Sequence, residues 1–195
     1  MAITATQVQE LRQKTGASMM DCKKALEEAN GNQEEALNAL RKRGRSIAEK
    51  KGTRETSAGI IQSYIHPNKR IGVLLELRCE TDFVAQNSDF LNLAHDLSLH
   101  IAAMSPKYLS SENVPQEVID EEKAIFMAQV ADIDKPANLK EGIVDGKLKK
   151  RLSEICLLEQ PFIKNPDQTI KDLITEHIAK IGENITLTRF VRYEL

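Results

Sequence analysis

The sequence predicts an α+β fold, in which a small bundle of three helices precedes a three-stranded antiparallel sheet packed with helices. Three observations support this class. Apolar residues follow helical spacing through the first 45 positions, they recur at every second position from 71 to 79, and helical spacing returns after residue 88. Because helices and strands occur in separate runs and do not alternate along the chain, the pattern favours α+β over a doubly wound α/β sheet.

The N-terminal bundle is predicted from apolar residues that recur every three or four positions. They indicate helices at 4–14, 19–29 and 33–43. Gly16 is suited to cap the first helix, and Gly44 is expected to end the third. Three of the predicted inward positions, Ala25, Ala29 and Ala36, are alanines, which allow the helices to approach closely.

A basic and polar stretch follows the bundle and is interpreted as a linker at 46–57 that can include a helical segment around 46–51. It divides the chain into an N-terminal domain at 1–45 and an α+β core and dimerisation domain at 58–195. The positive charges between Arg41 and Arg54 allow two interpretations, a solvated tether or a contact with RNA or the ribosome. Nearby glutamates offset much of this charge, and exposed charges are screened by salt.

The core domain begins with a predicted hairpin. Strand formers at 60–66 and 71–79 flank a turn at 67–70, and the second strand alternates so that one face is buried. The segment 185–195 also alternates and is expected to return to the hairpin as a third strand. Further helices are predicted from Ser88, the expected cap, to about Pro106, from Pro115 to Ala131, from Ala137 to Leu157 and from Thr169 to Ile181. Pro161 and Pro166 interrupt the connection between the last two.

Composition excludes several classes of protein. Among 195 residues, 27 Lys and Arg face 29 Asp and Glu, so the net charge of −2 argues against a chain whose main task is to coat nucleic acid. Aromatic residues make up 4% and Trp is missing, which leaves little material for base stacking. No apolar run reaches the roughly 18 residues of a membrane span, and the N-terminus lacks the features of a signal peptide.

The cysteines and the missing catalytic motifs point in the same direction. Cys22, Cys79 and Cys156 are far apart and odd in number, so free thiols in a reducing cytosol are expected. The sequence contains no P-loop, no GxGxxG, no HExxH and no GxSxG. An enzyme would therefore need a catalytic pocket that the sequence does not reveal. An RNA-binding protein and an enzyme are the two alternative functions, and the enzyme is the weaker of the two.

Two short segments are candidates for contact with a partner. Phe83 lies in the connection 81–87 between a strand and a helix, where it is either exposed for a partner's pocket or folded back as the first core residue of the helix. Met19 and Met20 follow the break at Gly16 and lie near Arg12. They form either an adaptable contact surface or part of the core.

Several motifs in register resemble the elongation factor Ts family over nearly the whole chain, from about Thr4 to Leu195. The most specific is Thr81-Asp82-Phe83-Val84, preceded by Cys79-Glu80. The others are Leu11-Arg12, Thr15-Gly16-Ala17 and Met19-Met20-Asp21-Cys22-Lys23-Lys24-Ala25-Leu26 near the N-terminus, then Gly146 to Lys150, Gln160-Pro161-Phe162 and Ile181 to Ile185.

This resemblance implies a guanine-nucleotide exchange factor that binds elongation factor Tu, the GTPase that carries aminoacyl-tRNA to the ribosome. It implies no catalytic chemistry, cofactor or metal of the chain's own, no direct contact with nucleic acid or membrane, and a cytoplasmic location. The three-helix bundle would be a ubiquitin-associated-like domain. Longer relatives carry two core subdomains, so the single core implies a homodimer and a 2:2 complex.

The resemblance also assigns roles to individual residues. Asp82 and Phe83, flanked by Thr81 and Val84, would intrude beside the partner's Mg²⁺ and phosphate site. Arg12, Met19 and Met20 would grip its nucleotide-binding domain, and His100 resembles a helix position at an interface.

Overall fold

The computed structural model describes residues 3–131 and 136–195, so the first two residues of the N-terminus lie outside it. Within these residues the helices are α1 Ala5–Thr15, α2 Met19–Glu28, α3 Gln33–Lys51, α4 Asp82–Ala85, α5 Ser88–Met104, α6 Gln116–Val130, α7 Ala137–Ile155 and α8 Ile170–Ile181. The strands are β1 Ala58–Ile65, β2 Ile71–Cys79, β3 Pro161–Phe162, β4 Asn165–Thr169 and β5 Ile185–Glu194. The α+β class is confirmed.

Capping residues mark the ends of the helices in the N-terminal bundle. Thr4 caps α1: its hydroxyl accepts from the Gln7 backbone N–H at 3.3 Å, and the Gln7 side chain accepts from the Thr4 N–H at 3.0 Å. Gly16 ends α1 with φ of 65°, a left-handed conformation that glycine adopts without strain. Their shared core consists of Val8, Leu11, Cys22, Ala25, Leu26, Ala29 and Ala36.

The prediction that Gly44 ends the third helix is wrong. Helix α3 runs through Gly44 to Lys51, so the first residues of the predicted linker are helical. Gly44 is buried, and a Cβ built on it would lie 3.5 Å from the Cβ of Ala179 in α8. The missing side chain therefore serves close packing between two helices. The domain boundaries at 45 and 57 stay a prediction.

By its internal contacts the chain divides differently, into two compact units. The first consists of the described residues of 1–62, 75–96 and 172–188, and the second of those of 63–74, 97–171 and 189–195. The first unit thus contains the three-helix bundle, the α4 turn and almost all of α8.

The three-stranded antiparallel sheet has the order β1-β2-β5. As predicted, β2 alternates between buried and exposed positions, with Val73, Leu75 and Leu77 buried. The β1–β2 turn closes through the His66 N–H, which donates to the carbonyl of Ile71 at 2.9 Å.

The later helices match their predicted positions within a few residues, and one small element was missed. Asn87 caps α5 in place of the predicted Ser88, because its side chain accepts from the Asp89 N–H at 2.8 Å. Strands β3 and β4 form a short antiparallel hairpin within the stretch that was predicted only as a connection between two helices. The three cysteines are free and buried, as expected.

Candidate functional site

The Thr81–Val84 segment forms a turn that presents an aromatic side chain to solvent. Asp82–Ala85 make up α4, a single helical turn between β2 and α5. The side chain of Phe83 is 91% exposed, whereas Ala85 is buried and anchors the turn. The interpretation of Phe83 as a core residue is therefore wrong.

Thr81 ties this turn to the segment that follows α8. Its backbone N–H donates to Oε2 of Glu183 at 3.1 Å, and its hydroxyl donates to Oε1 of the same carboxylate at 2.7 Å. The hydroxyl oxygen in turn accepts from the N–H of Val84 at 3.4 Å, which caps α4. The turn thus begins at a residue whose orientation is fixed from both sides.

Cys79 adds a further contact beneath the turn. Burial, reinforced by the negative charge of Glu183, raises the pKa of its thiol to about 11. The thiol therefore stays protonated at neutral pH and donates to the carbonyl of Thr81 at 3.2 Å.

Glu80 joins the same segment through a second set of bonds. Its Oε1 accepts from the Asn184 N–H at 2.6 Å, and this hydrogen bond, aided by Arg54 at 3.4 Å, lowers the pKa of the Glu80 carboxyl. The Asn184 side chain donates to the carbonyl of Arg54 at 2.8 Å. Sequence analysis assigned no role to Glu80, Glu183 or Asn184, although all three lie in segments that carry the family resemblance.

The second candidate segment also lies on the surface. Arg12 is exposed, and Met19 and Met20 are 45% and 62% exposed, which argues against a role as core filling. Ser18 caps α2, because its hydroxyl accepts from the Asp21 N–H at 3.1 Å. The cap fixes both methionines on the first turn of α2.

Helix α8 contacts the elements that carry both candidate segments. The stem of Lys180 passes 3.3 Å from where a Cβ on Gly16 would lie, and its ammonium pairs with Asp89 at 2.9 Å. Just beyond the helix, Glu183 holds Thr81. These residues all belong to the first unit, so α8 contacts the α1–α2 connection and the start of α5, and the segment just after α8 binds the residue that begins the α4 turn.

His100 occupies a different environment from the one expected for a contact residue. It is completely buried in the second unit, where its Nδ1 accepts from the Ile163 N–H at 3.3 Å and its Nε2 lies 2.9 Å from Oε1 of Gln160. Burial lowers the pKa of its imidazole, so the ring is neutral. This placement argues against direct contact with a partner and favours a packing role.

Neither a metal-binding cluster nor a membrane-spanning helix occurs in the part of the chain that the structure describes. Among residues 3–131 and 136–195, no group of three or more His, Cys, Asp or Glu side chains could hold a metal ion. No helix within those same ranges is long and apolar enough to cross a membrane.

The fold and the exposed Asp-Phe turn define an α+β protein that offers an aromatic contact residue on a supported surface turn. The family model described as elongation factor TS matches residues 2–195. The chain is 56% identical over 193 residues to elongation factor Ts of Carboxydothermus hydrogenoformans, covering 99% of this chain and 89% of that protein. It is 55% identical over 195 residues to elongation factor Ts of Thermodesulfovibrio yellowstonii, covering 100% and 97%.

The chain therefore belongs to the elongation factor Ts family. Membership implies a nucleotide exchange factor for elongation factor Tu that acts in translation elongation.

Proposed function

We propose that this chain binds elongation factor Tu and promotes release of GDP by inserting Asp82 and Phe83 beside the partner's Mg²⁺ and phosphate site. The observation that carries the proposal is the 91% exposure of Phe83 on a turn that is fixed at its start. Burying a Phe side chain is worth about 1.5–3 kcal/mol, and the free chain leaves almost all of it unrealised. A pocket in the partner recovers that free energy.

A wedge of this kind accelerates release only when its pocket differs between two states of the partner. If the pocket opens when the Mg²⁺ and phosphate loops are displaced, Phe83 binds the nucleotide-free state more tightly. Coupling between two ligands is reciprocal, so the chain weakens the binding of GDP to the partner by the same factor by which GDP weakens the binding of the chain. Exchange then needs no catalytic group, cofactor or metal of the chain's own, and we propose that it has none.

Arg12, Met19 and Met20 are proposed to supply the grip on the partner's nucleotide-binding domain. Methionine side chains adapt to irregular surfaces, and a guanidinium forms directed bonds with carboxylates. Their exposure on α1 and α2 leaves them free to do so. Because they lie on α1 and α2 and the proposed wedge lies on α4, contact by these residues and insertion of Phe83 should affect different kinetic parameters.

The alternative of an RNA-binding protein is less well supported, because the basic stretch uses its charges within the chain. Arg43 lies 2.5 Å from Glu28, Arg45 lies 3.0 Å from Asp172, and Arg54 reaches Glu80. These pairs reduce the positive charge that a phosphate backbone would meet. We propose a cytoplasmic protein that contacts neither nucleic acid nor membrane directly.

We further propose a homodimer that forms a 2:2 complex with the GTPase. Within the second unit, the sheet leaves Ile65, Leu74, Val191 and Tyr193 exposed, an apolar surface that a second copy would cover. Sedimentation equilibrium is expected to give twice the chain mass of 21.9 kDa at micromolar concentration. A monomeric mass would contradict the dimer.

Release of a fluorescent GDP analogue from elongation factor Tu tests the proposed exchange activity. Addition of the chain should accelerate release in a saturable way, and a lack of acceleration by the intact protein would overturn the proposal. The double variant Met19→Ala/Met20→Ala should raise the half-saturating concentration and leave the maximal rate nearly unchanged. A fall in maximal rate alone would contradict the assignment of these residues to the grip.

A further inference from the structure

The side chain of Glu183 joins two segments that are 102 residues apart in the sequence. Glu183 follows the end of α8, and both oxygens of its carboxylate accept from Thr81, the residue directly before Asp82 and Phe83. Hydrogen bonds to a charged acceptor are about twice as strong as neutral ones. The family resemblance assigns no role to this contact.

Thr81 makes hydrogen bonds through each of its polar groups. Its N–H and hydroxyl donate to Glu183, and its hydroxyl oxygen accepts from the Val84 N–H. Its carbonyl accepts from the Ala85 N–H at 3.2 Å and from the Cys79 thiol. Because the Thr81 hydroxyl proton is donated to the Glu183 carboxylate, a lone pair of the hydroxyl oxygen is available to accept the Val84 N–H at the start of α4.

Glu183 is itself held in place by its sequence neighbours. The Lys51 ammonium donates to the carbonyl of Gly182, and Asn184 is bound on both sides, to Glu80 and to the Arg54 carbonyl. The carboxylate thus projects from a fixed backbone, which is what a group needs if it is to orient another segment.

We infer that Glu183 is a positioning residue, which holds the Asp82-Phe83 turn in the conformation that enters the partner. This inference rests on the proposed exchange function. Phe83 is almost fully exposed, so packing of its own side chain does little to fix the direction of the turn. Without Glu183 the turn samples other conformations, and only the competent fraction is able to act.

Steady-state exchange kinetics test the inference, with Glu183→Ala compared with Glu183→Gln and Glu141→Ala. Glu183→Ala should lower the maximal rate of GDP release at least about tenfold, which is the low end of the range expected for loss of a hydrogen bond to a charged group. Its half-saturating concentration should stay within about twofold, because the grip is unchanged. Glu183→Gln keeps an acceptor and should recover part of the rate.

Glu141 is an exposed carboxylate on α7 and should be replaceable by alanine without effect. A normal maximal rate for Glu183→Ala overturns the inference. So does an equal loss for Glu183→Gln and Glu183→Ala, because a conservative amide would then fail to rescue. If Glu183→Ala fails to fold, Thr81→Val keeps the test open: it retains the backbone bond to Glu183 and removes the hydroxyl bonds to Glu183 and to the Val84 N–H, so the maximal rate should fall, and an unchanged rate would overturn the inference.

A second measurement works on the free chain and does not depend on the exchange function. The protein contains no Trp, so Phe83→Trp introduces a single reporter at the tip of the turn. Time-resolved fluorescence anisotropy should show a larger amplitude of fast local motion once Glu183→Ala is added. Unchanged local motion overturns the positioning role even if exchange is active, whereas an inactive parent chain with increased motion contradicts only the proposed function.

Discussion

Phe83→Ala separates the stability of the free chain from its activity. The side chain is 91% exposed, so its removal should change the free energy of unfolding by less than about 0.5 kcal/mol. Full burial of Phe is worth about 1.5–3 kcal/mol, and 91% of that range leaves roughly 1.4–2.7 kcal/mol to be gained in the partner. At about 1.36 kcal/mol per factor of ten, Phe83→Ala should slow maximal GDP release about 10- to 100-fold.

The assay is GDP release from elongation factor Tu at saturating factor, together with thermal unfolding of each variant. Ile125→Ala, which truncates another exposed apolar residue on α6, is the matched control and should exchange normally. Phe90→Ala removes a fully buried ring and should instead cost about 3–5 kcal/mol of stability. A Phe83→Ala protein that retains the full rate would refute the wedge.

A strained glycine compared with a helical one, a helix cap and a half-buried imidazole give three further predictions. Gly59→Ala should lower the free energy of unfolding, measured by urea denaturation, by about 1–3 kcal/mol. The reason is that φ is +151° and the new Cβ would lie 2.8 Å from the Cα of Arg78. Gly146→Ala, with open space around it in α7, should raise the free energy of unfolding by about 0.5–1 kcal/mol, and effects of equal sign would contradict the geometry. Asn32→Ala should cost about 1 kcal/mol, since the side chain accepts from two N–H groups at the start of α3; an unchanged urea midpoint would contradict the cap. Burial lowers the pKa of His177 from 6.5, so the unfolded chain binds more protons than the folded chain below that pH, and the free energy of unfolding falls on acidification. Between pH 7 and pH 5, the unfolding temperature should therefore fall less for His177→Gln than for the unmodified chain. An equal fall for the two proteins would contradict this assignment.

The local features of the fold could be predicted from the sequence because they depend on neighbouring residues. The cap at Gly16 and the alternation of Val73, Leu75 and Leu77 are visible within a few positions of the chain. The exposed turn at 81–84 was found as a candidate site for the same reason. Local patterns left open only whether Phe83 pointed inward.

Gly44 and Gln160 show where local reasoning fails. Gly44 follows a helical pattern and was interpreted as a terminator, but its role depends on Ala179, far along the chain. Gln160 lies directly before Pro161, yet it is buried and bonded to His100. In both cases the environment of the residue depends on a contact that is distant in sequence, and the spacing of residues along the chain does not predict such contacts.

The role inferred for Glu183 could not be derived from the sequence for a related reason. A glutamate after a helix and before a strand is an ordinary surface residue by pattern. Its significance arises only when β2 and the end of α8 come together, so that its carboxylate reaches Thr81. The motif at 181–185 was noted from the resemblance, but its physical role requires the tertiary structure.

The most direct test of the account is the reciprocal coupling between this chain and GDP on elongation factor Tu. The affinity of the chain should be measured for the nucleotide-free and the GDP-bound GTPase, and the affinity of GDP should be measured with and without saturating chain. The account predicts tighter binding to the nucleotide-free form, with the two affinity ratios equal. Equal affinity of the chain for both forms would contradict it.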